Sequence, residues 1–142
     1  MPTVACPACG TLNRIPETRT AERGRCGKCK AELPLPGVPV AVTDATFEQQ
    51  VLEATSPVLL DCWADWCGPC HMLAPTVDAL ARDYAGRVLV AKLDVDANPR
   101  VAGRFDVRSI PTLLLFRDGR LVERLVGVQP RGAIEAHLRS LL

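Results

Sequence analysis

The greater part of this sequence predicts an α/β sandwich, a mixed sheet with helices on both faces, preceded by a small cysteine-rich piece. Three observations carry that expectation. Apolar runs of strand length alternate with helical apolar spacing across residues 38–126, the pattern of layered α/β folds. Asp118-Gly119 lies between two such runs and marks a hairpin, so the last strands reverse beside each other. The first 37 residues show neither pattern and hold four of the seven cysteines.

Within residues 1–37, Cys6-Pro7-Ala8-Cys9 and Cys26-Gly27-Lys28-Cys29 are two C-x-x-C knuckles separated by sixteen residues. That is the spacing of a four-cysteine zinc site. Each pair can wrap a tight turn around one side of a tetrahedral ion, with Gly10 and Gly27 expected to supply positive-φ positions. Residues 11–25 are polar and suit a short hairpin. The piece holds no Phe, Tyr or Trp and few other apolar side chains. Burial alone cannot fold it, so one structural zinc ion is expected to supply the folding energy. Six Lys or Arg against three acids make it basic, but four thiolates and a zinc ion together add about −2. With no aromatic to stack on a base, nucleic-acid binding is not expected. Leu33-Pro34-Leu35-Pro36-Gly37 reads as a stiff linker, which divides the chain into residues 1–37 and 38–142.

The second part reads as follows. Residues 38–42 form a short strand. Asp44 is the expected N-cap of a helix that carries Phe47, Val51 and Leu52 inward and ends near Ser56-Pro57. Residues 57–64 are an apolar strand whose unbroken character implies burial on both faces. A helix runs from Cys67 to about Tyr84, because Leu73, Val77, Leu80 and Tyr84 recur at helical spacing. Gly86 is its expected C-cap. Pro75 should bend it by removing the N–H that would bond His71. Residues 88–93 form another strand, and Asn98-Pro99 opens a short helix through Phe105. Residues 112–116 and 121–126 pair across the Asp118-Gly119 turn. Pro130 begins a last helix with Ile134, Leu138 and Leu141 on one face.

Composition narrows the function. A chain of 142 residues, 48% hydrophobic, can bury one good core with a small appendage. A net charge of +1 gives no strong whole-chain field toward nucleic acid or an anionic membrane. No uncharged apolar run approaches the roughly 20 residues of a membrane span. The first residues have neither a basic leader nor an apolar h-region, so no signal peptide is expected. Seven cysteines without an export signal point to a reducing compartment, where cysteines bind metal or do chemistry. A cytoplasmic monomer is expected.

The chemistry centres on Trp66-Cys67-Gly68-Pro69-Cys70. A strand that ends at a cysteine opening a helix aims that sulfur at free backbone N–H groups and the positive end of the helix dipole. That environment favours thiolate, the form that attacks disulfides. Cys67 opens the helix and is the expected nucleophile. Cys70 lies one turn deeper on the same face and would attack Cys67 to resolve the mixed disulfide. Pro69 falls in the first turn, where its missing N–H costs nothing. Asp61 is an acid in an apolar strand, so its pKa should be raised. That suits a group that accepts the Cys70 proton. Pairing with Lys92 is the structural alternative. Cys62 should face the other side of the sheet as an inert buried thiol. His71 is either an exposed helix residue or a pH-dependent charge near Cys67. His137 is read as exposed.

Asp61-x-Trp63-Ala64-x-Trp66-Cys67-Gly68-Pro69-Cys70, then Pro75, Lys92-x-Asp94-x-Asp96, Ile110-Pro111-Thr112 and Gly127 occur in this order. In order and spacing they resemble thioredoxin. The resemblance covers residues 38–142. With the four-cysteine piece, the whole chain is similar to the bacterial thioredoxins that carry an N-terminal zinc ribbon. It implies a thioredoxin fold and a redox-active dithiol of reducing type, with catalytic Cys67, Cys70, Asp61 and Lys92. It also implies a cis Ile110-Pro111 bond facing the cysteines. Trp66, Gly68, Pro69, Ile110, Pro111 and Gly127 would form a flat rim for extended polypeptide, with Trp63 packed in the core. The zinc ligands would be Cys6, Cys9, Cys26 and Cys29, with no organic cofactor. Partners would be disulfide-containing proteins and an NADPH-dependent thioredoxin reductase.

Two other functions fit less well. A disulfide oxidant or isomerase would need an oxidising compartment. A zinc-ribbon binding module using the second part as a scaffold would not need an intact Cys67/Cys70 pair with Asp61 and Pro111.

Overall fold

The computed structural model describes residues 3–6, 8–9, 11–14, 24–33 and 37–142. The first part is built around its knuckles. Strands β1 (Thr3–Ala5) and β2 (Leu12–Arg14) pair antiparallel across the first knuckle, and Arg25 bridges Glu32 antiparallel across the second. At the described ends of the expected 11–25 hairpin, Leu12–Arg14 pair back with Thr3–Ala5 and Arg25 pairs forward with Glu32. Residues 15–23 lie outside the described residues. Gly27 does not adopt positive φ; Lys30 does, at φ 65°, and its N–H closes the turn onto the Cys26 carbonyl at 2.9 Å. Gly10 lies outside the described residues, as do Pro34, Leu35 and Pro36 of the expected linker. Leu33 is 1% exposed and packs with Cys6 and Cys26. It belongs to the packing of the ribbon rather than to a linker.

The second part contains a five-stranded mixed sheet in the order β3-β5-β4-β6-β7. Its strands are β3 (Val40–Ala41), β4 (Val58–Trp63), β5 (Leu89–Asp94), β6 (Thr112–Arg117) and β7 (Arg120–Val126). β3 and β4 run parallel to β5, whereas β4–β6 and β6–β7 are antiparallel. Helix α1 (Gly68–Asp83) and helix α3 (Arg131–Arg139) cover one face. There Leu73, Val77, Leu80, Ile134 and Leu138 bury against Leu59, Leu113 and Leu115. Helix α2 (Pro99–Arg104) and a single helical turn cover the other, with Phe47, Val51 and Val101 against Leu60, Cys62, Leu114 and Phe116. The unbroken apolar run of β4 is thus explained by burial on both faces. Cys62 lies opposite Asp61, as alternation requires.

Three expectations change in detail. The stretch after β3 is not a regular α-helix: over Glu48–Leu52 it winds as a π turn, with the Glu53 N–H donating to the Glu48 carbonyl at 2.9 Å. Just before it Thr43 and Thr46 exchange hydrogen bonds at 3.0 and 3.2 Å, and Phe47, its N-cap, makes no side-chain cap bond. Asp44 instead caps α2, accepting from the Arg100 and Val101 N–H groups at 3.1 and 2.9 Å. The carboxylate serves the helix start it can reach in space, since that start carries free N–H donors. α1 continues through Pro75; its C-cap is Tyr84 rather than Gly86, which follows at φ 83°. Asp118 and Gly119 both take positive φ (52° and 78°) at the β6–β7 turn, the backbone a two-residue hairpin needs.

Candidate functional site: a helix-capping disulfide and a buried acid

β4 ends at Trp63, and the chain turns through residues 64–66 into α1. Cys67 is the N-cap rather than the first helical residue. Its backbone is extended (φ −85°, ψ 107°) and its Sγ accepts from the Cys70 N–H at 3.2 Å. The sulfur therefore satisfies one of the free N–H groups of the helix start, where negative charge is favoured. Cys67 and Cys70 are joined as a disulfide with Cα atoms 5.3 Å apart. Both are 3% exposed, so in this oxidised form exposure does not separate nucleophile from resolving thiol. Gly68 and Pro69 are exposed between them.

The Ile110–Pro111 bond is cis. The Ile110 carbonyl oxygen lies 3.7 Å from Cys67 Sγ, and the Pro111 carbonyl accepts from the Gly127 N–H at 2.8 Å. Ile110 and Gly127 are thereby brought to the disulfide's side of the molecule. Trp66 is 71% exposed, its indole N–H donating to Asp96 Oδ2 at 2.7 Å. Trp63 is half-buried and packs near Ala64 and the cysteines, as expected of a core residue. His71 is exposed, and His137 sits 3.6 Å from Glu123.

Asp61 is completely buried, and neither carboxylate oxygen has a hydrogen-bond partner among the described residues. Burial pushes its pKa up to about 6, Lys92 pulls it down, and Asp78 adds a smaller upward push. Lys92 is the cross-strand neighbour of Asp61, yet no ion pair forms. Its ammonium sits over the Trp63 ring, 4.6 Å from the centroid, an attraction that holds the charge beside the acid without neutralising it by contact. Burial likewise lifts the Cys62 thiol to about 12, which leaves it inert as a nucleophile.

Sequence reasoning did not single out Met72 and Val128, exposed apolar residues (71% and 45%) that follow His71 and Gly127 in the chain. Met72 could have been found, because a large apolar residue stands there outside the Leu73/Val77/Leu80 stripe. Nothing local marks Val128.

The other cysteine cluster is in the first part. Sγ atoms of Cys6, Cys9, Cys26 and Cys29 all lie within 4.8 Å of one another. Cys6–Cys29 and Cys9–Cys26 are 3.5 and 3.6 Å apart. Sulfurs on a tetrahedral ion with bonds of about 2.3 Å stand roughly 3.8 Å apart, so the four fit one such metal ion. Hydrogen bonding, first from the Cys29 N–H, holds the Cys26 thiol down at about 6. Cys29 accepts from the Ala31 N–H, but the neighbouring Cys6 thiol, its own burial, and the Cys9 and Cys26 thiols push it up to about 11. Thiolates so crowded repel until a cation sits among them.

A disulfide closing the first turn of a helix, with a polypeptide loop beside it, defines a thiol–disulfide oxidoreductase. A family model described as Thioredoxin matches residues 38–140, and one described as Thioredoxin 2, N-terminal matches residues 5–31. The chain is 54% identical over 94 residues to "Thioredoxin 1" of Synechococcus elongatus, covering 66% of this chain and 88% of the relative. It is 50% identical over 99 residues to "Thioredoxin" of Pseudomonas aeruginosa, covering 70% and 92%. With "Thioredoxin" of Alicyclobacillus acidocaldarius the identity is 48% over 103 residues, covering 72% and 97%. The chain belongs to the thioredoxin family and is a protein disulfide oxidoreductase carrying that family's N-terminal ribbon. No helix among the described residues is long and apolar enough to cross a membrane.

Proposed function

We propose that this protein reduces disulfides in other proteins, with Cys67 as nucleophile and Cys70 as resolving thiol. The observation that carries the reading is the N-cap position of Cys67, whose sulfur accepts the Cys70 N–H at 3.2 Å. In the reduced protein that place favours the Cys67 thiolate. Cys67 thiolate attacks one substrate sulfur, and the other leaves as a thiolate that takes up a proton. Cys70 gives its proton to the Asp61 carboxylate and attacks Cys67 Sγ, releasing the second substrate thiolate. Two electrons pass to the substrate, and the Cys67–Cys70 disulfide remains. A buried acid with a pKa near 6 is matched to taking a proton near neutral pH and returning it later. Lys92, over Trp63, lowers the cost of ionised Asp61.

The substrate is an extended polypeptide segment lying along Trp66, Gly68, Pro69, Ile110, Pro111 and Gly127, with Met72 and Val128 widening the apolar rim. Cys6, Cys9, Cys26 and Cys29 hold one zinc ion, whose contribution is folding energy for the ribbon. The chain divides into residues 1–37 and 38–142. It works as a cytoplasmic monomer, re-reduced by an NADPH-dependent thioredoxin reductase.

The test is insulin disulfide reduction driven by NADPH and a bacterial thioredoxin reductase. Wild type should turn over and Cys67→Ser should not. Turnover by Cys67→Ser equal to wild type would remove the assignment.

A further inference from the structure

The turn that carries Cys67 is fixed by three bonds, of which one comes from a residue the proposed mechanism does not use. The Cys67 N–H donates to the Ala64 carbonyl at 3.2 Å, and the Trp66 indole is tied to Asp96. Between these, the His71 ring reaches back over the helix start, its Nε2 2.7 Å from the Asp65 carbonyl oxygen. A carbonyl only accepts, so Nε2 carries the proton and donates. The ring is also edge-on to Trp63, 6.2 Å between centroids at 80°, and the His71 backbone N–H donates to the Cys67 carbonyl at 3.3 Å. One residue thus holds the last side chain of β4, the crossing loop and the capping cysteine together. Its side chain touches neither sulfur, so its action passes through the backbone.

We propose that His71 is a positioning residue for Cys67: its Nε2–H bond to the Asp65 carbonyl holds the 64–66 turn so that the Cys67 sulfur receives the Cys70 N–H. Without that bond the turn loosens, the sulfur spends less time on its donor, and less of Cys67 is thiolate at neutral pH. The inference rests on the reading of Cys67 as the nucleophile. The charge of the imidazole is not needed, since Nε2 donates in both protonation states.

The test uses the reduced full-length protein and four chains: wild type, His71→Phe, His71→Gln and His71→Lys. Phe keeps the ring against Trp63 and removes the donor. Gln supplies a neutral N–H donor of similar reach. Lys supplies charge without a donor fixed at that place. The readouts are the rate of Cys67 alkylation by iodoacetamide at pH 7 and the second-order rate of insulin reduction. One hydrogen bond is worth roughly two- to tenfold in an equilibrium. His71→Phe should therefore lose about threefold in both rates, with Gln restoring most of the loss and Lys restoring little. A residue that merely stabilised the fold would lower the melting temperature and leave the alkylation rate of the folded protein unchanged. Equal rates for Phe and wild type, or rescue by Lys but not by Gln, would overturn the proposal. If His71→Phe fails to fold, the Gln and Lys chains make the same comparison. Failure of the Cys67→Ser test would instead strike the reading beneath it.

Discussion

Replacing Asp61 with asparagine removes a charge from a buried site where no described residue gives it a hydrogen bond. The carboxyl titrates near 3.8 when unfolded and about 6 when folded, because burial disfavours the ion. Between those values the folded chain holds more protons than the unfolded one. Stability therefore falls as pH rises from about 4 to 6 and stays lower above that. At 1.36 kcal/mol per pKa unit, ionised Asp61 costs the fold about 3 kcal/mol at pH 8 and about 1.5 kcal/mol at pH 5. Asn has nearly the same shape and no charge, so Asp61→Asn should be more stable than wild type by those amounts. The assay is urea unfolding of the oxidised protein at pH 5 and pH 8, followed by tryptophan fluorescence. Both tryptophans, Trp63 and Trp66, lie outside the ribbon, so the signal reports the thioredoxin part alone. A gap that is the same at both pH values, or a less stable Asn variant, would refute the account of Asp61 as an uncompensated buried acid. The same variant should slow disulfide reduction, since Asn cannot take the Cys70 proton.

Two further outcomes follow from the geometry. The purified chain should carry one zinc per molecule by elemental analysis, and Cys26→Ser should lose it while the tryptophan unfolding transition stays where it was. Gly119→Ala should cost about 1–3 kcal/mol in urea unfolding, because φ is 78° there and a Cβ would stand 2.9 Å from the Leu52 carbonyl oxygen. Asn in its place would share the Cβ contact but tolerates positive φ, so it should cost less than Ala while remaining worse than Gly.

The residues that were legible in the sequence are those whose structure is set by near neighbours. The apolar run of β4, the four-residue periodicity of α1, the Asp118-Gly119 turn and the two knuckles each carry their signal within a few positions. Even the raised pKa of Asp61 followed from an acid set in an apolar strand. The particular connections of those pieces were not legible. Asp44 looked like the cap of its own helix and caps α2, 56 residues onward. Lys92 looked like a salt-bridge partner and lies over an indole. Leu33 looked like linker and is buried with Cys6 and Cys26.

The sequence by itself determined the chemistry of this protein: two thiols at a helix start, four more at metal spacing, and one acid in an apolar strand. Spacing along the chain is enough for these, since a C-x-x-C pair is close in any compact turn. Only the tertiary structure decided what surrounds each group. It left Asp61 without a hydrogen-bond partner among the described residues, set Cys67 beside Ile110, 43 residues away, and brought His71 back onto Asp65. Such contacts depend on how sheet and helices pack, and packing direction is not written in any one stretch of the chain.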